Sequence, residues 1–391
     1  MLMAGVMATL LVGNLLSSLS PMYIGALMQT LGFSEADAGL VMTVELISVA
    51  SVLTLFSRKL VAFPPFRLAA IGTVVVFAAQ LASSVVTQLP VLLCIRAVSG
   101  AGASLTLLAA SIVISRRLDP DRYIAIAMVG TSLVFTAVMA ICGVAVDHYG
   151  VVGFYVVAAA TSAVSLPLFL LVHVDVPAAL SDGKTRDRPA PLFSRWGLIV
   201  GAFMLGIMVL TFVGQAAWSF AQRSGTNAGV PAAEIGIWLA GSNLLTVLGS
   251  VFAAWIASRI TSVVPLLIGV LLTGMTCAVQ VGADSTAAFE IPVLLNGLAF
   301  GFSTPFVFGT GARLDRSGAV VAYLNSAVLF TQAVTPLFAG ELIEYSSYQS
   351  LGVILGIGTL LATAMIVPAC LAARNSRAVA DAPAASLAAR I

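Results

Sequence analysis

The chain contains 391 residues, of which 60% are hydrophobic and only 9% carry a charged side chain. A soluble domain has about 25% charged residues, so this composition excludes an ordinary soluble protein and predicts an integral membrane protein. The formal net charge of +2 is small, and we expect no nucleic-acid partner. How the charges are distributed is more informative than their sum.

Hydrophobic segments long enough to cross a bilayer recur along the whole chain, since about 20 apolar residues suffice for one crossing. The first segment lacks the basic residues and cleavage site of a signal peptide, so we expect it to remain as a membrane helix. Gly, Pro or charged clusters bound most of the segments, as expected at helix ends. Twelve spans are predicted: 4–29, 37–57, 68–88, 89–115, 123–146, 151–173, 196–221, 233–257, 263–283, 288–311, 318–341 and 349–372.

A polar segment at 174–195 divides these spans into two sets of six. Its Pro, Asp and basic residues are typical of a linker. We therefore predict four regions: an N-terminal six-helix bundle at 1–173, a cytoplasmic linker at 174–195, a C-terminal six-helix bundle at 196–372 and a cytoplasmic tail at 373–391.

The basic residues predict how the chain is oriented in the membrane. Sixteen of the 18 Lys and Arg residues lie in the even-numbered loops, in the linker or in the tail. Arg223 lies on the other side, and Arg96 lies within a span. Because positive charge accumulates on the cytoplasmic side, the pattern predicts that both termini are cytoplasmic. A missed or extra span would disrupt this alternation, so the charge pattern also supports the number of spans.

The two halves of the chain resemble each other weakly. The segment RAVSGAGAS, which begins at Arg96 in span 4, aligns with NGLAFGFST, which begins at Asn296 in span 10. LVFT at 133–136 in span 5 also matches VLFT at 328–331 in span 11. A repeat of six helices, with binding sites where the repeats meet, is typical of secondary transporters.

These features together resemble the major facilitator superfamily, and the twelve spans in two halves extend the resemblance over nearly the whole chain. The segment RAVSGAG at 96–102 resembles the Arg-x-x-x-Gly-x-Gly pattern of the family's fourth helix, seen in its drug:proton antiporter branch. The loop SRKL at 57–60 lies where the family has a basic signature, although Ser57 replaces the usual Asp. The resemblance implies an all-α integral membrane fold, with twelve helices in two pseudo-symmetric bundles, and the family's usual monomeric state.

One acidic and one basic residue lie within predicted spans at similar depth, Glu45 in span 2 and Arg96 in span 4. Pairing would offset much of the cost of removing both charges from water. Burial favours the neutral form of a carboxyl group and a nearby arginine opposes this, so the pair is a candidate proton-coupling site. A static ion pair that stabilises the N-terminal bundle is an equally good interpretation.

Several spans carry polar side chains at helical spacing, as expected for helices that line a cavity. In the major facilitator superfamily, helices 1, 4, 7 and 10 line the transport pathway. The resemblance therefore implies that these residues contact the substrate. For any one Asn or Gln, an interhelical hydrogen bond is the more frequent role. Aromatic and Met side chains would give the cavity apolar walls, which suits an amphiphilic molecule better than a sugar. The candidates are Asn14, Ser18, Phe135, Met139, Gln215, Trp218, Asn296, Phe300, Asn325 and Gln332.

We expect the remaining polar residues to fix the membrane topology rather than to take part in catalysis. The chain has no Walker motif, no paired metal ligands and no nucleophile with an adjacent base, so we expect no enzymatic activity, cofactor or metal. Its four cysteines lie in apolar segments without metal-type spacing. The residues expected to fix topology, and to form a cytoplasmic gate with Asp119 or Asp121, are Arg58, Lys59, Arg116 and Arg117.

The sequence favours a secondary transporter that moves a small organic solute across the inner (plasma) membrane. Its expected partners are that solute, protons and the lipid bilayer. Proton-coupled efflux is favoured over uptake by the helix 4 pattern alone, so an uptake permease for an organic nutrient stays open. A sensor or scaffold that has lost transport, and a membrane enzyme that acts on lipid, are the alternatives from other classes.

Overall fold

The computed structural model describes residues 2–60, 63–115, 120–172, 195–257, 263–314 and 319–388, and the regular structure in these ranges is helical. The N-terminal half contains α1 (Leu2–Gly13), α2 (Leu15–Leu31), α3 (Glu35–Leu60), α4 (Pro65–Ser83), α5 (Leu89–Ser115), α6 (Pro120–Ser165) and a 3-10 helix (Leu166–Val172). The C-terminal half contains α7 (Arg195–Ser219), α8 (Ala221–Asn227), α9 (Ala232–Ala257), α10 (Val263–Val281), α11 (Thr286–Leu314), α12 (Ala319–Tyr345) and α13 (Tyr348–Ala388). Of the predicted linker, only Arg195 lies within the described residues.

Helix α6 contains two membrane crossings. The apolar stretch Ile126–Phe169, which runs from α6 into the 3-10 helix, has 44 residues. That is about 66 Å at 1.5 Å per residue, and a bilayer core is only about 30 Å thick. The chain reverses at Gly150, whose φ of 58° and ψ of −141° are not helical. The N–H of Val151 donates to Thr30 Oγ1 at 3.0 Å. A hydroxyl on α2 thus accepts a hydrogen bond from a backbone N–H at the start of the returning helix, where no carbonyl of the same helix is available.

With α1–α2 and α7–α8 each forming one crossing, the helices confirm the twelve predicted spans. Both pairs are interrupted by a single residue with non-helical backbone angles, Asn14 in the first and Phe220 in the second. These interruptions lie in the first crossing of each half, which agrees with the predicted repeat. Discontinuous helices at corresponding positions of two repeats are typical of transporters.

Some predicted boundaries were wrong. Span 3 was expected to reach residue 88, but α4 ends at Ser83, and the N–H of Ser84 donates to the carbonyl groups of Gln80 and Leu81. Helix α3 begins at Glu35, two residues before the predicted start. Helix α13 continues to Ala388, so most of the predicted tail is helical.

Among the described residues, the two bundles share a hydrophobic core at one end of the molecule and not at the other. At the end that contains the 32–34 loop, one apolar cluster includes Leu19 of the first half together with Phe220 and Leu351 of the second. At the opposite end each half has its own cluster, one around Ile112 and the other around Phe306. We call these the joined end and the split end. The bundles are therefore packed against each other at the joined end.

Glycines allow the two halves to approach closely at the joined end. Gly39 of α3 packs directly against the backbone carbonyl of Pro336 in α12, and Gly340 of α12 packs against that of Glu35. On the other side of the interface, a Cβ at Gly143 of α6 would lie 2.8 Å from Cα of Gly236 in α9. Small residues allow helix backbones to come this close in a membrane bundle. We call these three contacts the glycine seal.

Candidate functional site

A buried ion pair joins α3 and α5 near the joined end. Arg96 Nη1 lies 3.3 Å from Glu45 Oε2, and the two residues are 0% and 3% exposed. The other carboxylate oxygen of Glu45 accepts a hydrogen bond of 2.8 Å from Ser99 Oγ. Glu45 is ten residues into α3, about 15 Å from its start and deeper than the predicted span implied.

Arg96 is also held by uncharged groups on α4. Its Nη1 donates to Gln80 Oε1 at 3.1 Å, and its Nη2 donates to the carbonyl of Ala79 at 2.9 Å and to Ser83 Oγ at 2.6 Å. The guanidinium group therefore has three partners besides Glu45. These bonds offset part of the cost of burying the guanidinium group, whose Nε–H has no partner among the described residues.

Aromatic side chains close the space around this ion pair. The guanidinium carbon of Arg96 lies 5.9 Å from the ring centre of Tyr23 and 5.6 Å from that of Tyr155, within the range of cation–π attraction. The two phenol oxygens are 3.1 Å apart and hydrogen-bonded. Phe154 stacks on Tyr23 with ring centres 4.7 Å apart. These rings, together with the groups on α4, enclose Arg96, which is fully buried.

This arrangement leaves Glu45 as the member of the pair that can change its charge. An arginine stays protonated under all ordinary conditions, whereas a carboxyl group can bind a proton. The ion pair uses one oxygen of Glu45 and one nitrogen of Arg96, so it is not the stronger bidentate form. If Glu45 bound a proton, Arg96 would keep its three partners on α4. Protonation would therefore leave the hydrogen bonds between the guanidinium group and α4 in place, while the guanidinium charge would lose the opposite charge of Glu45.

A separate cavity of about 330 Å³ lies between the two bundles. All of its lining residues except Ser17 and Ser18 belong to the C-terminal half, on α7, α9, α10, α11 and α12. Neither Glu45 nor Arg96 lines it. The structure thus places the candidate proton site and the candidate substrate site in different halves of the molecule.

Six of the ten predicted substrate contacts line this cavity: Ser18, Gln215, Trp218, Asn296, Phe300 and Gln332. Trp218 also links the halves, because its Nε1–H donates to the carbonyl of Ser17 at 3.3 Å. Asn296 Nδ2 donates to the Thr273 carbonyl at 3.1 Å and lies 2.9 Å from Cys277 Sγ on α10. Asn296 therefore has the interhelical role expected for a single amide as well as a place on the cavity wall.

The other four predicted contacts lie elsewhere. Phe135 and Met139 are 5% and 0% exposed and belong to the shared core of the joined end. Asn14 lies at the interruption between α1 and α2, and its Nδ2 donates to the carbonyl of Leu10 at 3.0 Å. Asn325 is exposed on α12 and does not line the cavity. Helical spacing alone does not distinguish these environments.

A sequence profile described as Major Facilitator Superfamily matches residues 3–314 of the chain. The chain belongs to the major facilitator superfamily. It is a secondary transporter of the multi-pass membrane type and not an enzyme. No curated protein sequence gives a significant match to this transporter.

Solved structures of other transporters share the fold. The nucleoside transporter NupG is 16% identical, with a TM-score of 0.71, and the match covers 94% of this chain and 98% of NupG. A POT family transporter in complex with a thioalcohol-conjugated peptide is 14% identical, with a TM-score of 0.69 and 94% of each chain covered. A bacterial homologue of the human lysosomal transporter Spinster, inward-facing and occupied, is 14% identical, with a TM-score of 0.62 and 96% of each chain covered. At this identity the likeness concerns the fold alone.

Several residues at the two sites of this transporter were not predicted. Gln80 and Ser83 on α4 bind Arg96, and their signal was present as two polar residues three positions apart in an apolar span. Tyr23 and Tyr155 were not predicted as site residues, because a single Tyr in an apolar span has no sequence pattern that distinguishes it from a core residue. Asn243 on α9 lines the cavity, and its Nδ2 donates to the carbonyl of Ser132 at 3.5 Å.

The predicted gate cannot be located on this structure. The side chains of Arg58 and Lys59, and the whole of Arg116 and Arg117, lie outside the described residues. In the described part of the chain, no group of three or more His, Cys, Asp or Glu side chains comes together as metal ligands would.

Proposed function

We propose that this transporter exports a small amphiphilic organic solute across the inner (plasma) membrane in exchange for protons, with both termini in the cytoplasm. Its proton site is the Glu45–Arg96 pair, and its solute site is the cavity lined by Gln215, Trp218 and Phe300. The observation that supports this most directly is the position of Glu45 on α3, the helix that also forms the glycine seal.

The distribution of Lys and Arg supports the proposed orientation, because the basic loops lie on the side of both termini. In that orientation the joined end faces outward and the split end faces the cytoplasm. The conformation described here then holds the cavity closed to the outside. Alternating access requires the bundles to separate at the joined end and pack together at the split end.

Helix α3 links proton binding at Glu45 to the opening of the joined end. Gly39 packs against Pro336, and Thr43 Oγ1 accepts a 3.1 Å hydrogen bond from the N–H of Leu337. Glu45 lies two residues beyond Thr43 and therefore on the opposite side of α3, where it binds Arg96 and Ser99 of α5. We propose that the movement of α3 away from α12 shifts this helix against α5 and admits outside water to the Glu45 carboxyl group. Protonation there weakens the ion pair while α4 continues to hold Arg96. A proton taken up outside can then travel with the return to the closed state.

The groups that face Glu45 set the conditions for this step. Arg96 and Ser99 approach it from α5, and their positive charge and hydrogen bond both favour the ionised carboxylate. Tyr23 and Tyr155 enclose Arg96 from α2 and α6, and Gln80 and Ser83 bind it from α4. Burial opposes this by favouring the neutral carboxyl group. A carboxyl group under opposing influences of this kind is suited to gain and lose a proton as its exposure changes.

Glu45→Gln tests the proposed coupling. The variant keeps the acceptor for Ser99 and cannot ionise, so we expect it to abolish solute-induced proton movement while the fold is retained. Wild-type and variant protein are reconstituted in liposomes that contain a pH-sensitive dye, and a panel of amphiphilic solutes is added. The solved relatives are a nucleoside transporter and a peptide-bound transporter, so nucleosides and peptides belong in this panel. Glu290→Gln, an acidic residue near the start of α11, is the matched control and should behave like wild type.

The same experiment decides between the alternatives. Protons and solute that move in opposite directions support efflux, whereas movement in the same direction supports an uptake permease. A sensor or scaffold would give no flux with any solute. Proton movement that persists in Glu45→Gln at every pH would exclude Glu45 as the coupling residue.

A further inference from the structure

We infer that the cavity in the C-terminal half binds an uncharged organic molecule that donates several hydrogen bonds, an assignment that rests on the proposed transport function. Two properties of the cavity lead to this class of solute. Its walls carry no ionisable side chain, and most of its polar groups present acceptor atoms rather than hydrogens. The first follows from the residue types in the wall, and the second from the hydrogen bonds that wall residues already make.

The first property is the absence of charge. All residues that line the cavity lie in the described ranges, and none of them is Asp, Glu, Lys, Arg or His. A charged solute that entered would lose its hydration without gaining an opposite charge. The buried ion pair in the described residues lies in the other half of the molecule, and Glu45 and Arg96 are already bound to each other there. An uncharged solute avoids this cost.

The second property concerns the hydroxyl groups of the wall. A hydroxyl has one hydrogen to donate and two lone pairs to accept with. Five wall hydroxyls on α7, α9, α10 and α11 donate to carbonyl groups of their own helices at 2.7 to 3.2 Å, so these five offer only lone pairs to a solute. These residues are Thr211, Thr246, Thr273, Ser303 and Thr304.

The amide and indole groups follow the same pattern. Asn296 Nδ2 donates to groups on α10, and Gln215 Nε2 donates to Ser219 Oγ at 3.1 Å. The indole N–H of Trp218 donates to the carbonyl of Ser17. The second amide hydrogen of Gln215 and the amide of Gln332 can still donate to a solute. The carbonyl oxygens of these amides and the five bonded hydroxyls can only accept, so a solute gains more hydrogen bonds here by supplying hydrogens than by accepting them. Hydroxyl or neutral N–H groups provide them.

The apolar part of the wall restricts the solute further. Trp218, Phe300 and Phe308 contribute aromatic surface, and Leu210 and Val307 contribute aliphatic surface. A volume of about 330 Å³ is near the lower end of the usual range for small-molecule sites, about 300–1,000 Å³. The solute is therefore small, with one flat apolar face and hydrogen-bond donors along another edge.

An organic cation is the strongest competitor, because acceptor oxygens and aromatic faces both attract positive charge. Desolvating the cation without a carboxylate in the wall opposes its binding. An anion is disfavoured by the same oxygens. Matched compounds that differ only in charge or in donor groups separate these cases.

Binding to the purified transporter in lipid nanodiscs tests the inference with two sets of four compounds. The first set is 4-ethylcatechol, its dimethyl ether, dihydrocaffeate and dopamine. The second is phenyl glucoside, its tetra-O-methyl ether, phenyl glucuronide and the 2-amino analogue. Each set contains an uncharged donor, its O-methylated form without donors, an anion and a cation. We expect the uncharged donor of at least one set to bind and its three relatives to bind at least about tenfold more weakly, as the loss of one or two hydrogen bonds would give.

Three results would overturn the inference: tighter binding of a cation or anion, equal binding of a methylated ether, or no binding of either uncharged donor up to millimolar concentration. Binding of an uncharged donor without any transport in liposomes would instead contradict the proposed function and leave the solute class intact. The two failures are therefore distinguishable.

A pair of Thr→Val variants then locates the site. Thr246→Val removes an acceptor from the cavity wall, and we expect the affinity for the best compound to fall about 5- to 10-fold. Thr161→Val removes a hydroxyl with the same bond to its own helix, to Val157, outside the cavity, and should leave the affinity unchanged. Equal effects of the two variants, with both proteins folded in nanodiscs, would place the bound compound elsewhere.

Discussion

Corresponding positions in the two halves of the transporter carry different chemistry. Arg96 on α5 reaches across to α4, where it binds Gln80 and Ser83. Asn296 aligns with Arg96 in the repeat, and on α11 it reaches across to the corresponding helix, α10, where it binds Thr273 and Thr276. The helix-to-helix geometry is retained, but a charge has been exchanged for an amide.

The exchange changes what each half can hold. In the N-terminal half the guanidinium group requires a carboxylate and three uncharged partners, and aromatic rings fill the remaining space. In the C-terminal half the shorter amide needs fewer partners, and the space beside it is the cavity. The comparison suggests a division of labour in which one copy of the repeat responds to protons and the other holds the solute.

The largest effect that would test this comparison is expected from Arg96→Gln. Removing one partner of a buried ion pair costs about 3–5 kcal/mol, because Glu45 must then either keep an unpaired charge in an apolar interior or bind a proton. We expect thermal unfolding in detergent to occur at a clearly lower temperature, with loss of proton-coupled transport. Calorimetry or fluorescence of the purified protein measures the stability change.

Arg67→Gln is the matched control, because Arg67 is exposed at the start of α4 and its guanidinium carbon lies 5.8 Å from the ring centre of Phe66. This control should unfold like wild type. If Arg96→Gln also unfolded like wild type, an amide would stabilise the N-terminal half as well as the guanidinium group does. The proposed difference between the halves would then have no basis in the ion pair.

An intermediate effect is expected from Gly39→Ala at the glycine seal. The added methyl group would meet the carbonyl of Pro336, and overpacking of this kind costs about 1–3 kcal/mol. Because the contact exists only when the joined end is closed, the variant should increase the population open at that end about tenfold or more. Opening increases the distance between spin labels on Phe33→Cys and Ser346→Cys, which lie in loops of opposite halves. The labels require a background in which the exposed Cys94 is replaced by Ser.

Gly201→Ala is the control for this measurement, since nothing lies within 4 Å of a Cβ added at that position of α7. Its distance distribution should match that of wild type. Identical distributions for all three proteins would show that the seal tolerates a methyl group, and the inter-bundle contact would have to depend on other residues.

The architecture could be predicted from the sequence because it depends on the length of the apolar segments and on the positions of the charged residues, which can both be read from the sequence. Long apolar segments and the alternation of basic loops gave the twelve crossings, and helix α5 has the predicted bounds of 89–115. The pairing of Glu45 with Arg96 also followed from composition, since two opposite charges at similar depth have few other ways to be satisfied. These predictions needed no knowledge of how helices are rotated.

Other features depend on helix rotation and on the conformational state, which the sequence pattern does not specify. Phe135 and Met139 were expected to line the cavity, but α6 turns them into the core of the joined end. Gly39 and Gly340 lie in apolar spans in which any small residue looks alike, so the seal was not predicted. The sequence also did not predict which donors of the cavity wall are already hydrogen-bonded. A Thr in a helix can point to lipid, to solute or to a carbonyl group of its own helix.

The smallest effect is expected from Tyr23→Phe, and it separates the role of the aromatic rings from that of their hydroxyl groups. The variant removes the 3.1 Å hydrogen bond to Tyr155 but keeps the ring beside Arg96 and its stacking on Phe154. We expect a loss of stability of about 0.5–1.5 kcal/mol and an unchanged pH dependence of transport. Both follow if the rings only enclose the ion pair and Glu45 carries the proton. A transport profile that moved along the pH axis would instead make the phenol pair part of the proton route, and the N-terminal half would then contain a relay of three titratable groups rather than a single carboxyl group.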